Sequence, residues 1–379
     1  MRTVDAAGLK IGDQHPPRIM GVLNVSSESP YKPSVYNDPG EAAAYVDEEL
    51  IGEGADIVDI GLESANKRFE VLSADQELER LDTAIETIES VSGEAVYSIE
   101  TRYHEVAEAA LARGFDIVND ICGFADPEMP RICRDHDAAV VKMASPPDLE
   151  RPGAIEDVDD IYAALKREGL TEKTIIDPAF GGWSEAKTLA DDRETFHRLR
   201  EFRGLGQPIL VSINRKNFLR ELAGRSTEEA LPVSLAATAM AIERGAHVIR
   251  THDVAETRDA AIIGDVFTPE RVRTPTVEEL DVRTAREAGR HLDRLHVDRD
   301  LAAGSASKAF VVSGIERTEQ LVSIASDAGA AVGRGDTPTE ASVYLAGTYR
   351  TLETARDALA DAGFETVAGA IVDGLSDDL

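Results

Sequence analysis

Polar and charged side chains stand at or just after the ends of short apolar runs throughout the longer, N-terminal part of the sequence. They are Asn24, Glu63, Ser64, Glu100, Asn119, Asp177, Arg215, Lys216, Arg250 and His252. Burying such groups together is costly unless a polar ligand satisfies them. Glu100, Asn119 and Asp177 can pair with the amino and ring N–H groups of a polar heterocycle. Lys216 and Arg250 suit phosphate oxygens or a ring carbonyl. The set therefore indicates a ligand with a planar nitrogen ring and a diphosphate arm.

Eight apolar, β-branched runs position these side chains. They span residues 18–24, 56–61, 95–100, 115–120, 138–143, 173–178, 208–213 and 246–251. Each run is short and almost continuously apolar, as in strands that are buried on both faces. Helical patterns lie between them, at 39–55, 73–93, 104–114 and 234–246, and Ser73 is a candidate N-cap.

Eight strands alternating with helices predict an α/β fold, a (β/α)8 TIM barrel over residues 1–272, with its site at the carboxyl ends of the strands. A doubly wound open sheet is the alternative. That fold normally has a glycine-rich phosphate loop after its first strand, and residues 24–28 contain no glycine.

The character of the sequence changes after residue 272. A linker and helix are predicted over 274–296, strands at 309–314, 342–347 and 366–372, and helices at 317–332 and 351–363. The segment 333–341 has the composition of an exposed loop. Residues 273–379 therefore form a predicted small α/β module, which has no catalytic constellation.

Composition limits the class of protein. The chain has 379 residues, 42% of them hydrophobic, and a formal net charge of −31. The negative charge is spread along the chain, which favours adaptation to a salt-rich cytosol over an acidic partner-binding face and argues against binding to nucleic acid or membranes. Two cysteines are too few for a disulfide framework. No apolar run is long enough for a transmembrane helix, and the polar N-terminal sequence predicts a cytoplasmic protein.

Seven motifs in this order resemble dihydropteroate synthases, within the wider family of pterin-binding barrels. The motifs occupy residues 21–25, 55–64, 98–101, 117–120, 176–178, 215–218 and 250–254. The likeness covers roughly residues 18–265 and excludes the C-terminal module. It resembles archaeal members most in the first loop, 26–35, which follows the first strand.

The resemblance implies a role for each matching residue. Asn119 and Asp177 would bind the pterin ring, with Met143 packed nearby and Glu100 where the family usually has Asp. Lys216 would meet the pterin carbonyl and ring nitrogen.

At the other end of the site, Asn24, Arg250 and His252 would bind the diphosphate, with Mg²⁺ shared between Asn24 and phosphate oxygens. The first two loops would cover the aromatic amine, with Ser64 and Arg215 on that side. Lys216, Arg250 and Glu100 are the residues expected to act in catalysis.

The implied reaction joins 6-hydroxymethyl-7,8-dihydropterin diphosphate to p-aminobenzoate, or a derivative of it, and releases diphosphate. The partners are thus small molecules, and the family suggests a homodimer. The second loop, 63–68, departs from the family pattern, and Trp183 stands in the loop after the Asp177-Pro178 motif, where the family usually has Gly-Phe-Gly-Lys. Trp183 could stack near the ligand or serve only in packing.

Two other functions remain open. A methyltransferase that moves a methyl group from a reduced pterin to a corrinoid protein would share the Asn and Asp contacts, but it has no need of a diphosphate site. A pterin-binding protein without catalysis is the other possibility, and the altered second loop favours it.

Overall fold

The computed structural model describes residues 1–26, 28–29, 31–64, 69, 71–167, 169–274, 276–336 and 341–376. The chain divides into two compact units, Met1–Pro269 and Glu270–Leu379. Within the described residues, no helix is both long and apolar enough to cross a membrane.

The strands are β1 (Val4–Ala6), β2 (Leu9–Ile11), β3 (Arg18–Asn24), β4 (Ile57–Gly61), β5 (Val96–Thr101), β6 (Ile117–Asp120), β7 (Ala139–Met143), β8 (Thr174–Asp177), β9 (Leu210–Val211), β10 (Val248–Thr251), β11 (Ser307–Ser313), β12 (Ala331–Asp336) and β13 (Ala341–Thr348). The α-helices are α1 (Pro39–Tyr45), α2 (Ala74–Ser90), α3 (His104–Leu111), α4 (Met129–Asp135), α5 (Val158–Lys166), α6 (Leu189–His197), α7 (Asn217–Ala223), α8 (Leu231–Glu243), α9 (Val254–Val266), α10 (Ala285–Leu295), α11 (Thr318–Asp327), α12 (Tyr349–Asp361) and α13 (Glu365–Ser376). A π-helical stretch, Val46–Ile51, continues α1, and 3-10 turns occur at Lys32–Ser34, Leu199–Leu205 and Arg299–Gly304.

The first unit is the predicted TIM barrel. Its eight parallel strands follow the order β8-β7-β6-β5-β4-β3-β10-β9. The ring closes between β8 and the start of β9, where Ile176 forms a parallel bridge with Ile209 and its N–H donates to the Pro208 carbonyl at 2.9 Å. Helices separate the strands along the chain, as the alternating pattern predicted.

Side chains inside the barrel form an apolar lower layer. Met20, Ile57, Ile117, Ile175 and Val248 are buried there in one cluster. The hairpin β1–β2 adds Val4, Ala6 and Ile11 to the same cluster, so it plugs the amino-terminal end of the barrel.

The polar residues lie two positions further along the same strands. Asp59 follows Ile57, Asn119 follows Ile117 and Arg250 follows Val248. Because residues two apart on a strand share a face, the strands that bury an apolar floor also direct these polar groups toward the axis above it.

Helix α2 shows how local sequence fixes an outer element. Ser73 is its N-cap, as predicted, and it forms a capping box with Gln76. Leu81, Ala84 and Ile85 are buried on its inner face, so apolar residues at helical spacing fasten it to the barrel.

The second unit has a three-stranded antiparallel sheet in the order β11-β13-β12. Its core contains Leu345 from the sheet and Leu321, Leu352, Leu359 and Ile371 from the helices. It is therefore a small α/β unit with a hydrophobic core of its own.

Two expectations for this unit were wrong. The predicted strand at 366–372 is part of α13, because Val367, Ala368, Ile371 and Leu375 are buried at helical spacing. The predicted loop at 333–341 begins with strand: residues 333–336 belong to β12, where pairing with β13 compensates for the glycines. Because β12 begins at Ala331, the helix predicted at 317–332 is shorter than expected, and α11 ends at Asp327. Ala341, the last residue of the expected loop, begins β13, and residues 337–340 lie outside the described residues.

Candidate active site

Asp59 is the centre of the polar layer. Its carboxylate accepts hydrogen bonds from Ser98 Oγ at 2.6 Å, Asn119 Nδ2 at 3.1 Å and Arg250 Nε at 2.7 Å. The Asp59 side chain is fully buried. Such a charge is tolerated because a cation and two neutral donors surround it. Asp59 thus joins Asn119 to Arg250 across the barrel.

Arg250 is fixed by two carboxylates. Besides the bond to Asp59, its Nη2 donates to Glu100 Oε2 at 2.7 Å. Within the part of the chain that the structure describes, these bonds use Nε and Nη2 only, so Nη1 remains to donate to a ligand. Three of the predicted residues, Glu100, Asn119 and Arg250, are therefore brought together by hydrogen bonds.

Burial raises the pKa of Glu100, and neighbouring Asp59 adds to this effect, although Arg250 opposes it. Glu100 lies beside Gly61 on β4 and Asn119 on β6 in the strand register. It can therefore accept from a ligand N–H or keep a negative charge near a developing cation, depending on its protonation.

Asp177 and Lys216 form the opposite part of the site. The Ala179 N–H donates to Asp177 Oδ1 at 2.8 Å. Burial raises the pKa of Asp177 to about 6, although Lys216 and Arg250 oppose the shift. Met143, buried at the end of β7, is paired with Asp177 in the strand register.

Lys216 stands at the N-cap position of α7. Among the described residues, its ammonium group makes no hydrogen bond or ion pair. Burial lowers its pKa, and Arg250 lowers it further. An ammonium in this position is suited to donate to a ligand acceptor.

His252 is half-buried, and its Nδ1, which is shielded from solvent, has no hydrogen-bond partner among the described residues. Burial, followed by the charge of Arg250, lowers its pKa to about 3. Its ring lies 4.5 Å from the ring of Tyr31, which belongs to the first loop. A neutral imidazole with an unused nitrogen near Arg250 can hydrogen-bond an anionic group.

Asn24 ends β3, where Gly61 is its register partner. Its Nδ2 donates to Ser34 Oγ at 3.1 Å. A side chain at Gly61 would lie 3.1 Å from the Asn24 amide oxygen, Oδ1. This oxygen is the type of donor that Mg²⁺ prefers.

One other group of metal-ligand type exists among the described residues. His104, Glu105 and Asp126 have potential ligand atoms within 4.8 Å of one another. His104 Nδ1 is 2.7 Å from Asp126 and 3.2 Å from Glu105. Because these side chains satisfy one another as ion pairs, we assign no metal to them.

The two residues predicted for the second substrate have different surroundings. Ser64 is buried. Arg215 donates to both oxygens of Asp253 at 2.8 Å and to the carbonyls of Thr227 and Glu228. It is anchored rather than extended into the site. Residues 65–68 of the second loop and positions 27 and 30 of the first lie outside the described residues.

Two buried charged features lie outside the site residues predicted from the sequence. Asp59 falls within the motif at 55–64, and a carboxylate inside an apolar strand is the signal of a polar interior. The second feature is the buried ion pair of Glu63 and Arg102, in which Arg102 Nη2 lies 2.8 Å from Glu63 Oε1. Glu63 additionally accepts from the Leu72 N–H, so this pair also holds the backbone just before α2.

Comparisons with known proteins agree on one family. The model of the family described as "Pterin binding enzyme" matches residues 20–252. A dihydropteroate synthase of Bacillus subtilis is 33% identical over 242 residues, which are 62% of this chain and 83% of that protein. A probable bifunctional folylpolyglutamate synthase/dihydropteroate synthase of Haloferax volcanii is 33% identical over 63% of this chain and 29% of that longer protein.

Solved structures give the same result. Dihydropteroate synthase of Thermus thermophilus in complex with 4-aminobenzoate is 30% identical, with a TM-score of 0.58 over 70% of this chain and 100% of that one. The Xanthomonas albilineans dihydropteroate synthase in complex with 7,8-dihydropteroate is 29% identical, with a TM-score of 0.56 over 70% of this chain and 98% of that one.

Proposed function

The chain belongs to the family of pterin-binding enzymes, as a transferase of the dihydropteroate synthase type, and we propose the reaction and residue roles that follow. Its barrel condenses 6-hydroxymethyl-7,8-dihydropterin diphosphate with p-aminobenzoate, or a derivative of it, to give dihydropteroate and diphosphate. The observation that supports this most strongly is the polar layer, in which Asp59 links Asn119 to Arg250. The nearby ammonium of Lys216 has no hydrogen-bond or ion-pair partner in the part of the chain that the structure describes.

The pterin ring binds on the side of Asn119, Asp177 and Lys216. Asp177 and Asn119 offer oxygens to the ring amino and N–H groups, and Lys216 donates to the ring carbonyl. Met143 supplies an apolar contact next to Asp177. This division accounts for the lack of an acceptor for Lys216 among the described residues, since the ligand would provide one.

The diphosphate binds on the side of Asn24, Arg250 and His252. Arg250 is oriented before the ligand arrives, because Asp59 and Glu100 occupy one side of its guanidinium group. Fixed donors of this kind stabilise a charged leaving group without reorganisation at the moment of reaction.

Mg²⁺ fits the Asn24 side of this site. One amide oxygen from the protein suits an ion that usually keeps several waters and binds substrate phosphates. When bound, the ion would offset charge on the departing diphosphate.

In the reaction, the bond between the methylene carbon and the diphosphate oxygen breaks, and its electron pair leaves with the diphosphate. The amine lone pair forms the new C–N bond, and the amine nitrogen then loses a proton to water. An aromatic amine is nucleophilic without a strong base. Glu100, when ionised, steadies positive charge that develops at the methylene carbon, while Arg250 donates to the leaving group.

Ser64 and Arg215 are proposed to border the second substrate. Arg215 contributes through the segment it anchors with Asp253 and the carbonyls near Thr227. The identity of the amine is tested by measuring diphosphate release with p-aminobenzoate and with derivatives of it as alternative acceptors.

Three further properties complete the proposal. The dispersed acidic residues adapt the surface to salt, which screens their mutual repulsion. The cytoplasmic location stays a prediction. We also propose a homodimer, which is supported by exposed apolar residues on the adjacent helices α8 and α9, among them Met240, Ile263 and Val266.

The reaction is tested by incubating the purified protein in high salt and Mg²⁺ with the pterin diphosphate and p-aminobenzoate. We expect diphosphate release. Lys216→Ala and Arg250→Ala should each lower kcat/KM by at least about 100-fold, as loss of a charged donor does. Arg225→Ala removes an exposed arginine near α7 and is the matched control.

Pterin binding without diphosphate release would indicate a non-catalytic binder. Methyl transfer from a reduced pterin would indicate the methyltransferase. Full activity in either variant would contradict the role assigned to that residue.

A further inference from the structure

The loop between β8 and α6 is fastened by polar contacts at several points. Lys187 Nζ donates to the Ala179 carbonyl at 2.7 Å, and the Gly181 N–H donates to the Asp192 carboxylate at 3.1 Å. Ser184 Oγ donates to Glu156 Oε1 at 2.6 Å and joins this loop to the segment between β7 and α5. The loop therefore presents its side chains in a fixed arrangement.

Trp183 is the only tryptophan of the chain, and its ring joins the same two segments. Its Nε1 donates to the Phe180 carbonyl at 3.0 Å. The ring lies against Gly153, where a Cβ would come within 2.5 Å of the ring atom Cγ. Gly153 has φ +62°, which glycine adopts without strain. The close approach of ring and backbone requires glycine at this position.

The other neighbour of the ring is Lys216. Its Nζ lies 5.4 Å from the Trp183 ring centroid, within the range of a cation–π contact. A Cβ at Gly181 would lie 3.0 Å from the same Nζ. The ammonium group is thus bounded by the Gly181 backbone and the Trp183 ring. Since Lys216 has no acceptor among the described residues, this enclosure is what orients it.

We propose that Trp183 is a positioning residue for Lys216 and forms a side wall of the pterin site. The ring directs the ammonium toward the ligand and limits the access of water to it. This inference rests on the proposed function, in which Lys216 donates to the pterin carbonyl. Trp183 can pack against Gly153 and also position Lys216, because Gly153 fixes the ring that contacts the ammonium.

The first test compares Trp183→Leu, which removes the aromatic face, with Trp183→Phe, which keeps it. We expect Trp183→Leu to weaken binding of 6-hydroxymethylpterin, measured by calorimetry, by about tenfold. Trp183→Phe should restore most of the affinity. Gly182→Ala is the matched control, because it alters the same loop at an exposed position with no atom within 4 Å of the added Cβ.

Activity profiles give a second readout. Lys216 must be protonated to donate, and burial lowers its pKa. Replacement of the ring by Leu removes the cation–π contact and changes the access of water to the ammonium, so the alkaline limb of kcat/KM should move away from its wild-type position. A residue with a role only in loop packing would change stability without moving this limb.

A third test displaces the ring without touching Lys216. Gly153→Ala places a methyl group against the ring, so it should weaken pterin binding as Trp183→Leu does. In the double variant the two effects should be far from additive, because both act through the ring. Additive effects would overturn the proposal, as would unchanged pterin affinity in Trp183→Leu.

Failure of the proposed function has a different result. In that case the wild-type protein itself would not bind the pterin or release diphosphate. Wild-type binding with equal affinity in Trp183→Leu would instead overturn only the role of Trp183.

Discussion

At the scale of single residues, the site depends on charges that satisfy one another before a ligand is present. Asp59 accepts from Ser98, Asn119 and Arg250, and Glu100 accepts from Arg250. A buried carboxylate with such partners contributes more to orientation than to net stability. Its energetic importance appears when one member is removed and another is left unpaired.

Asp59→Asn tests this arrangement. The amide keeps the shape of the side chain but removes the charge opposite Arg250. Loss of a charge-assisted hydrogen bond corresponds to a fall in kcat/KM of about 10–100-fold. Steady-state kinetics with the pterin diphosphate measure the effect, and thermal unfolding checks that the variant is folded. Ser98→Ala removes the hydrogen bond from one neutral donor and leaves the charge pair intact, so it should have a smaller effect. Equal losses of kcat/KM in the two variants would show that the charge of Asp59 contributes no more than a single hydrogen bond.

At the scale of elements, the barrel strands carry two patterns at once. Their continuous apolar character buries the outer face against helices, and their period of two gives an apolar floor and a polar layer inside. Helix α2 likewise combines packing with the positioning of a polar side chain. It is capped by Ser73, packed through Leu81, and directs Glu77 to Thr101 at the end of β5, with 2.5 Å between Thr101 Oγ1 and Glu77 Oε2.

Glu77→Gln makes stability depend less on pH. Burial raises the pKa of Glu77 to about 8 from 4.5, so the folded state favours the protonated form. Its contribution is fully present below the unfolded pKa and is lost as pH rises toward 8. Gln imitates the protonated form, so the variant should match the wild type near pH 5 and exceed its Tm near pH 9 by at least about 2 °C.

The control for this measurement is Glu79→Gln, which makes the same charge change at an exposed position of α2. A Tm difference between Glu77→Gln and wild type that stayed constant with pH would show that Glu77 ionises normally in the fold.

At the scale of the whole molecule, charge and exposed apolar surface have opposite effects on association. The net charge of −31 opposes association at low ionic strength, whereas exposed apolar side chains on α8 and α9 favour it. Phe267, directly after α9, is 78% exposed. Exposed apolar side chains grouped on neighbouring elements indicate an interaction surface, whereas a single one would not.

Phe267→Asp is therefore expected to shift the protein from dimer to monomer, as measured by light scattering in high salt. Burial of the interface would leave the added carboxylate without a partner, which is costly. Lower salt should shift the wild type in the same direction, because screening decreases. Leu222→Asp, at an exposed position of α7, is the control for an added charge elsewhere. A wild-type monomer in high salt would refute the dimer.

The sequence by itself determined the barrel strands, the N-cap Ser73 and the residues at the strand ends, because strand period, caps and turns are local signals. The strand predicted at 366–372 was wrong, because β-branched residues alone do not exclude a helix. The residues buried there have helical spacing, so a helix forms when they pack against the core. The loop predicted at 333–341 was wrong at 333–336, because only pairing with β13 makes a glycine-rich segment a strand.

The tertiary structure alone decided which side chains meet. Asp59, Asn119 and Arg250 come from strands far apart in the sequence, and their hydrogen bonds form because the parallel sheet places β4, β6 and β10 around one interior. The contact of Trp183 with Lys216 depends likewise on Gly153 in another segment. Local residue preferences contain no information about such pairings, whose geometry is set by packing across the whole barrel.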